Sequence, residues 1–158
     1  MKKEKIILGI DPGIADTGFG VIKVEGSSLK CLDYGSIKTK AKTELSERLL
    51  ILNKELIKII NKHKPDLVSV EQLFFCKNVK TALVVGQARG VVLLTLEQAD
   101  IPLLEFTPLQ IKQAVSTYGG ASKSQVQKMV KMILGLKTIP RPDDAADALA
   151  AAICASNH

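Results

Sequence analysis

The sequence predicts a mixed α/β domain in which a central mixed sheet is flanked by helices. Three short β-rich runs open the chain and are separated by turn residues, which favours a three-stranded antiparallel meander. A long segment with helical periodicity follows, and two more short apolar runs then alternate with helical segments, a pattern that favours parallel strands. The chain has 158 residues, the length of one domain, so we expect a single domain over residues 1–158.

The first three strands are predicted from apolar runs and from the turn residues between them. Residues 5–10 form a β-rich apolar run that stops at the turn sequence Asp11-Pro-Gly13. Residues 17–24 and 29–38 are predicted as two further strands, and the Gly-Ser-containing segment 25–28 between them suits a hairpin.

The rest of the chain alternates between helix and strand. In residues 43–64 the apolar side chains step by four and three, which is the period of one helix face. The elements predicted after it are the strand Leu67–Glu71, the helix Val79–Gln98, the strand Leu103–Phe106, a short helix at 108–115, a helix to about Leu134 opened by a capping box of Ser122 and Gln125, and a last helix opened by Pro142. The first and fourth strands are apolar enough to be neighbours inside the sheet.

Positive charge is concentrated in one part of the chain. The whole sequence has 22 Lys and Arg against 16 Asp and Glu, a net charge of +6. Residues 101–141 contain six basic residues and a single acidic one, Glu105. Clustered positive charge attracts polyanions such as nucleic acid, although a solvated helix face would have the same composition.

Cysteine usage and hydropathy indicate a cytoplasmic chain. Cys31, Cys76 and Cys154 are odd in number and form no CxxC pair, so neither a disulfide framework nor a structural zinc site is expected. No targeting segment is recognised near the N-terminus. The longest apolar stretch, residues 82–96, is expected to be too short and too polar to span a membrane.

Four carboxylates occupy positions where active sites are commonly built. Asp11 and Glu71 each end a predicted buried strand, and Asp144 and Asp147 lie three residues apart on one face of the last helix. Sites in open α/β sheets form beyond the carboxyl ends of strands. If the two strands are neighbours, Asp11 and Glu71 therefore converge, and the last helix can pack across the same end.

Oxygen ligands in this number suit a hard cation such as Mg²⁺. Two such ions can stabilise the attacking and leaving oxygens of a phosphoryl displacement, which would connect the acidic site with the basic segment. Each residue also has a structural explanation: a turn former for Asp11, a solvated strand end for Glu71, and a favourable interaction with the helix dipole for Asp144. Asp147 is harder to explain in this way, because its helix is otherwise apolar.

Five motifs resemble those of one known family, the RuvC Holliday-junction resolvases. They occur in the same order and at compatible spacings over nearly the whole chain. The motifs are Ile10-Asp-Pro-Gly-Ile-Ala-Asp-Thr-Gly-Phe-Gly20, Val70-Glu-Gln-Leu-Phe-Phe75, Gly86-Gln-Ala-Arg-Gly90, Lys123-Ser-Gln-Val-Gln127 and Asp144-Ala-Ala-Asp-Ala-Leu-Ala150. The resemblance implies a ribonuclease-H-like fold and a homodimer that uses Mg²⁺ or Mn²⁺, with two ions in each active site. It also implies a crossover junction endodeoxyribonuclease of recombination and repair that nicks four-way junction DNA symmetrically, leaves 5′-phosphate and 3′-hydroxyl ends, and works with a RuvA–RuvB branch-migration complex.

The resemblance also assigns roles to individual residues. Asp11, Glu71, Asp144 and Asp147 correspond to the family's catalytic metal-binding carboxylates. Asp143 forms an alternative same-face pair with Asp147, and Asp144 is preferred only because Asp-Ala-Ala-Asp is the spacing of the family pattern.

Further residues are implied in DNA binding and in dimerisation. Lys112 and Lys123 correspond to lysines near the scissile phosphate, and Lys123 is expected to stabilise charge in the transition state. Phe74 corresponds to an aromatic residue that stacks on unpaired bases, while Phe75 is the alternative for that role. Gly86 and Gly90 lie on a helix that forms the family's dimer interface, although packing against the chain's own sheet would equally explain them.

Three other functions share parts of this pattern. The first is an actin-like nucleotide-binding protein, because Asp11-x-Gly13 and Thr17-Gly18 also resemble a phosphate loop; such proteins need two lobes, and 158 residues hold only one. The second is a non-catalytic junction-binding module, which would not need clustered carboxylates. The third is a ribonuclease-H-like nuclease that acts on RNA.

Overall fold

A five-stranded sheet with helices on both faces forms the described part of the computed structural model, which covers residues 3–72 and 78–158. Its elements are β1 (Lys5–Asp11), β2 (Asp16–Glu25), β3 (Ser28–Lys38), α1 (Leu45–His63), β4 (Leu67–Glu71), α2 (Val79–Gln98), β5 (Leu103–Phe106), α3 (Pro108–Ser116), α4 (Lys123–Ile133) and α5 (Asp143–Ser156). Every predicted strand and helix is present, and the bounds of three of them are those expected from the sequence.

The order of the strands in the sheet is β3-β2-β1-β4-β5. β1, β2 and β3 pair antiparallel, whereas β4 pairs parallel to β1 and β5 pairs parallel to β4. The expected meander and the expected adjacency of β1 and β4 are both confirmed. In the parallel pair Ile10 lies opposite Val70, so Asp11 and Glu71, the next residue of each strand, reach the same edge of the sheet.

Each face of the sheet carries its own hydrophobic core, because the side chains of β1 alternate between them. Ile7 packs against α3, α4 and α5, whereas Leu8 and Ile10 pack against α1 and α2. All three side chains are fully buried. A strand that is covered on both faces has no polar face, which explains why β1 reads as a continuous apolar run.

Helix α5 lies unusually close to the sheet because its own residues and those beneath it are small. A methyl group added at Gly9 would overlap the carbonyl oxygen of Ala148, and one added at Gly18 would overlap the main chain of Asp144. Gly18 is also the cross-strand partner of Asp11. The backbone contact at Gly18 therefore sets how near the start of α5 comes to the end of β1.

The predicted helix starts are largely confirmed. Ser122 caps α4, and the Ser122 hydroxyl and the Gln125 side chain each bond to the other residue's backbone as a capping box. The helix predicted at 43–64 is slightly shorter, since Lys64 adopts a left-handed conformation that ends α1 at His63.

Helix α2 is long and largely apolar, and only one side of it is buried. Ala88, Val92 and Leu96 are buried against the core, but Val79, Leu83 and Leu94 are exposed on the other side. At 20 residues with a mean hydropathy of 1.4, the helix is long and apolar enough to cross a membrane by length and composition alone. The sequence expectation concerned residues 82–96 alone, and the helix that contains them is longer; a core helix of a soluble protein can pass the same test.

Candidate active site

Three of the four predicted carboxylates form one cluster at the carboxyl end of β1. One carboxylate oxygen from each of Asp11, Asp144 and Asp147 lies within 4.8 Å of the others. Asp11 comes from the last position of β1, while Asp144 and Asp147 come from the first turns of α5. The topology thus brings together residues that are more than 130 positions apart in the chain.

The fourth carboxylate, Glu71, lies beside this cluster in a cavity of about 280 Å³. Glu71 and Asp147 line one part of the cavity, and Lys112 of α3 and Lys123 of α4 line another. The remaining wall is made of apolar residues from α3, α4 and α5. The carboxylates of this cavity could bind cations. An anionic ligand could then bind both to those cations and to the lysines.

The carboxylates strongly disfavour one another's ionisation. Burial, followed by repulsion from Asp147 and Asp144, raises the pKa of Asp11 to about 8. Burial also raises the pKa of Glu71 and Asp147, although Lys123 opposes the shift at both residues. Burying several like charges is expensive unless a counter-charge is supplied, and a divalent cation is the natural one for such a site.

The donor set fits Mg²⁺ or Mn²⁺. All the side chains of the cluster are carboxylates, whose hard oxygens these ions prefer, and among the residues that the structure describes no imidazole or thiolate joins them. Lys123 contributes a positive charge at 3.5 Å from Asp147, but it approaches the cluster from the side of the cavity. Its attraction to Asp147 raises the pKa of Lys123, so that its ammonium group stays charged.

Asp143 has a different role from its neighbour Asp144. Its carboxylate accepts a hydrogen bond from Gln127 at 3.1 Å, pairs with Arg141, and lies 3.8 Å from Lys123. It is exposed and is not a member of the three-carboxylate cluster. The geometry therefore favours Asp144 over Asp143 as the partner of Asp11, and its role as a ligand stays a prediction.

Three polar residues that sequence reasoning did not assign hold the backbone around this site. The Thr17 hydroxyl donates to the Gly13 carbonyl at 2.6 Å, and the buried Ser69 hydroxyl donates to the Ala151 carbonyl of α5 at 2.6 Å. Arg89 of α2 donates to the Glu71 carbonyl at 2.7 Å. Thr17 and Arg89 lie inside two of the sequence motifs quoted above, so those motifs could have identified them.

The two glycines predicted at a dimer interface lie away from the cavity. Gly86 and Gly90 are on α2, outside the cavity lining. Phe74 and Phe75 fall outside the described residues, as does Cys76. The ring of the terminal His158 packs on Phe106, with ring centres 4.9 Å apart, so it is not part of the carboxylate cluster.

The pKa of Asp11 predicts how stability depends on pH without metal. Because its folded pKa of about 8 lies above its ordinary value, its contribution to stability is complete below about pH 4 and is lost as the pH rises through about 8. We expect the melting temperature of the metal-free protein to fall over this range, and the stabilisation by added Mg²⁺ to grow, since Mg²⁺ competes with a proton.

Thermal unfolding measured across this pH range in chelator and in Mg²⁺ checks the prediction. Asp11→Asn should reduce the pH dependence, although Glu71 and Asp147, whose pKa values are also raised, should retain part of it. Asp100→Asn is the matched control, because Asp100 is exposed and has a left-handed backbone that asparagine tolerates well. A melting temperature that does not change with pH in the metal-free wild type would contradict the pKa of Asp11.

Comparison with known proteins identifies the family. The family model described as "Crossover junction endodeoxyribonuclease RuvC" matches residues 7–155. The chain belongs to the RuvC family. A RuvC of Ruminiclostridium cellulolyticum is 57% identical over 152 residues, which are 96% of this chain and 92% of the relative. A RuvC of Chloroflexus aggregans is 57% identical over 147 residues, covering 93% and 90% of the two chains.

Solved structures agree with this membership. A Thermus thermophilus RuvC in complex with a Holliday junction substrate matches with a TM-score of 0.86 at 36% identity, covering 94% of this chain and 91% of that one. The yeast mitochondrial resolvase Ydc2 matches with a TM-score of 0.67 at 16% identity, over 95% of this chain and 78% of that one, which shows a shared fold alone. The ribonuclease-H-like fold expected for a RuvC family member is confirmed.

Proposed function

We propose that this chain resolves four-way DNA junctions as a metal-dependent endonuclease that makes paired symmetric nicks. The observation that carries the proposal is the convergence of Asp11, Asp144 and Asp147 beside a cavity that also contains Glu71 and two lysines, in a member of the RuvC family. The named relatives are crossover junction endodeoxyribonucleases, and one solved relative is bound to a Holliday junction. We propose the same activity for the site of this chain.

Asp11, Glu71, Asp144 and Asp147 would hold the divalent ions, two in each site, with Mg²⁺ as the proposed resident and Mn²⁺ as a substitute. When bound, the ions would stabilise negative charge on the attacking and leaving oxygens of the phosphodiester. The four carboxylates support this proposal because they lie at the ends of different rigid elements, two strands and one helix, which fixes their spacing.

Lys123 and Lys112 would bind and orient the phosphate. Lys123 is the first residue of α4, where free backbone amides and the helix dipole also favour an anion. Its ammonium group lies 3.5 Å from Asp147, so a phosphate held by Lys123 would lie next to the carboxylates. Lys112 faces the same cavity from α3 and would neutralise a second phosphate oxygen.

The products would be 5′-phosphate and 3′-hydroxyl ends, which a ligase can join. We place the activity in homologous recombination and repair in the cytoplasm, in cooperation with a RuvA–RuvB branch-migration complex. Two sites, one in each subunit of a homodimer, would account for the symmetry of the nicks on a two-fold symmetric substrate.

Helix α2 supports a homodimer. Its exposed side carries Val79, Leu83 and Leu94, which the described part of the chain does not cover. Gly90 lies between Leu83 and Leu94, and a methyl group added there would meet nothing within 4 Å. No packing within the described residues therefore accounts for this glycine, which supports close approach of a second chain to the helix.

Substitution at Gly90 tests the interface. We expect Gly90→Trp to shift the protein from dimer to monomer, because the bulky ring would block close approach of a second α2. Gly90→Ala is the graded comparison, since its single methyl group should weaken the dimer less than the Trp ring does, while within one protomer it should stabilise the helix by about 1 kcal/mol. Sedimentation velocity measures the outcome, and a Gly90→Trp variant that stays dimeric at micromolar concentration would contradict the proposed interface.

Substrate choice tests the function itself. Cleavage of a four-way DNA junction, an RNA–DNA hybrid and a linear duplex should be compared in Mg²⁺, and we expect cleavage of the junction alone. Preferred cleavage of the hybrid would favour a ribonuclease. Thermal stabilisation by ATP-Mg²⁺ but not by junction DNA would favour an actin-like nucleotide-binding protein, and junction binding without any cleavage would favour a non-catalytic module.

A further inference from the structure

Arg89 of α2 connects this helix to the end of strand β4. Its Nη1 donates a hydrogen bond to the main-chain oxygen of Glu71 at 2.7 Å. Its Nη2 pairs with the carboxylate of Glu105 on the neighbouring strand β5. The arginine side chain is only 12% exposed, so the bond to Glu71 is partly shielded from water and is strengthened by the charge of its donor.

The contact lies where regular sheet pairing ends. Glu71 is the last residue of β4 and lies opposite Phe106, the last residue of β5. The backbone of Gln72 still bonds to Phe106 at 2.8 Å, and neither strand continues beyond this point. At the end of two strands, an arginine that bridges both fixes the last peptide more firmly than sheet pairing alone.

We propose that Arg89 is a positioning residue that sets the direction of the Glu71 side chain for divalent-ion binding. The inference rests on the proposed role of Glu71 as a metal ligand. Because Arg89 holds the carbonyl of Glu71, it restricts the ψ angle of that residue and thereby the direction of its Cα–Cβ bond, from which the carboxylate extends. Arg89 itself does not line the cavity, so it acts through Glu71 and not on the substrate.

A purely structural brace between α2 and the sheet is the competing explanation, and the sign of the effect on metal affinity separates the two. Removing a positive charge near a cation site should tighten metal binding by simple electrostatics. Loss of a positioning contact should instead weaken it, and groups that orient metal ligands typically contribute about 10–100-fold in affinity. A brace that only stabilises the fold would not weaken metal binding by the folded protein.

The test uses three variants of the full-length protein. Arg89→Met keeps the apolar stem and removes every donor. Arg89→Lys keeps the charge and one flexible donor group. Glu105→Gln is the matched control, because it removes the charge that pairs with Arg89 but keeps an oxygen that can accept its hydrogen bond. Mn²⁺ binding is measured by electron paramagnetic resonance without DNA, together with the Mg²⁺ dependence of cleavage at saturating junction.

We expect Arg89→Met to weaken Mn²⁺ binding about tenfold and to raise the Mg²⁺ concentration for half-maximal cleavage by a similar factor. Junction affinity in chelator should stay within about twofold of the wild type, because Arg89 does not line the cavity that contains Glu71 and the two lysines. Arg89→Lys should fall between Arg89→Met and the wild type, and Glu105→Gln should stay within about twofold for both metal readouts.

The inference is overturned if Arg89→Met and Glu105→Gln lower the melting temperature equally while Mn²⁺ affinity is unchanged in both. If Arg89→Met does not fold, unchanged Mn²⁺ affinity in Arg89→Lys overturns it as well. Glu71→Gln in the same assays separates this failure from that of the proposed site. If Glu71→Gln binds Mn²⁺ and cuts like the wild type, Glu71 is not a ligand and the proposed site is wrong.

Discussion

Asp147→Asn will lower the rate of Mg²⁺-dependent junction cleavage by roughly 10²–10³-fold or more, while the variant still binds the junction. Asp147 is the carboxylate that belongs both to the three-carboxylate cluster and to the lining of the cavity. It also lies 3.5 Å from Lys123, so it connects the proposed metal site with the proposed phosphate site. Asparagine has nearly the same size as aspartate but lacks the negative charge that binds a divalent ion.

Binding should survive because the lost charge is one that repels DNA phosphates. Asp11→Asn and Glu71→Gln should behave in the same way. Single-turnover cleavage and a binding assay in chelator, performed on the same junction, measure the two effects separately. Full cleavage by any of these three variants would contradict the assignment of the site.

Asp143→Asn is the control for this prediction. Asp143 is on the same helix, but it is exposed and bonds to Gln127 and Arg141 outside the cluster. We expect its cleavage rate to stay within about fivefold of the wild type, through a small effect on Lys123. A loss as large as that of Asp147→Asn would mean that Asp143 takes part in metal binding.

Gly9→Ala will destabilise the protein by about 3 kcal/mol or more, since the added methyl group would overlap the carbonyl oxygen of Ala148 in α5. Main-chain atoms of a buried helix cannot move aside as a flexible side chain can. Because α5 carries Asp144 and Asp147, its displacement should also reduce cleavage. Thermal and denaturant unfolding measure the first effect, and we expect the melting temperature to fall by about 6–12 °C.

Gly35→Ala provides a matched control in the same sheet. A methyl group at Gly35 would meet only the ring of Phe19 at 3.2 Å, and that side chain can shift. We expect a change within about 1 kcal/mol, because a glycine also weakens a strand. Equal destabilisation by the two substitutions would show that the contact with α5 has no special weight.

Much of the fold could be predicted because its signals are local. Leu67–Glu71 is a short β-rich run followed by a break, and Ser122 with Gln125 caps α4 through residues only three apart. Periodicity predicted α1 in the same way but did not predict its end at His63, which depends on the left-handed Lys64. The adjacency of β1 and β4 followed from their apolar character on both faces.

The site could be predicted only in part, because most of its geometry depends on distant partners. Asp143 and Asp144 are equally good ligands by composition, and only the packing of α5 on Gly18 turns one of them toward Asp11. Likewise, the contact from Arg89 to the Glu71 carbonyl joins residues 18 positions apart across two elements. Periodicity identifies neither partner of such a bond.

The contact of α5 with Gly9 and Gly18 has a consequence for how sequences of this kind can diverge. Main-chain atoms meet there, so the separation between the carboxylate-bearing elements does not depend on the size of any large side chain. The core under α1 and α2 lies on the opposite face and is free to drift through many combinations of apolar residues. The spacing of the four carboxylates therefore depends on small residues at a few positions, where any larger side chain would separate α5 from the sheet.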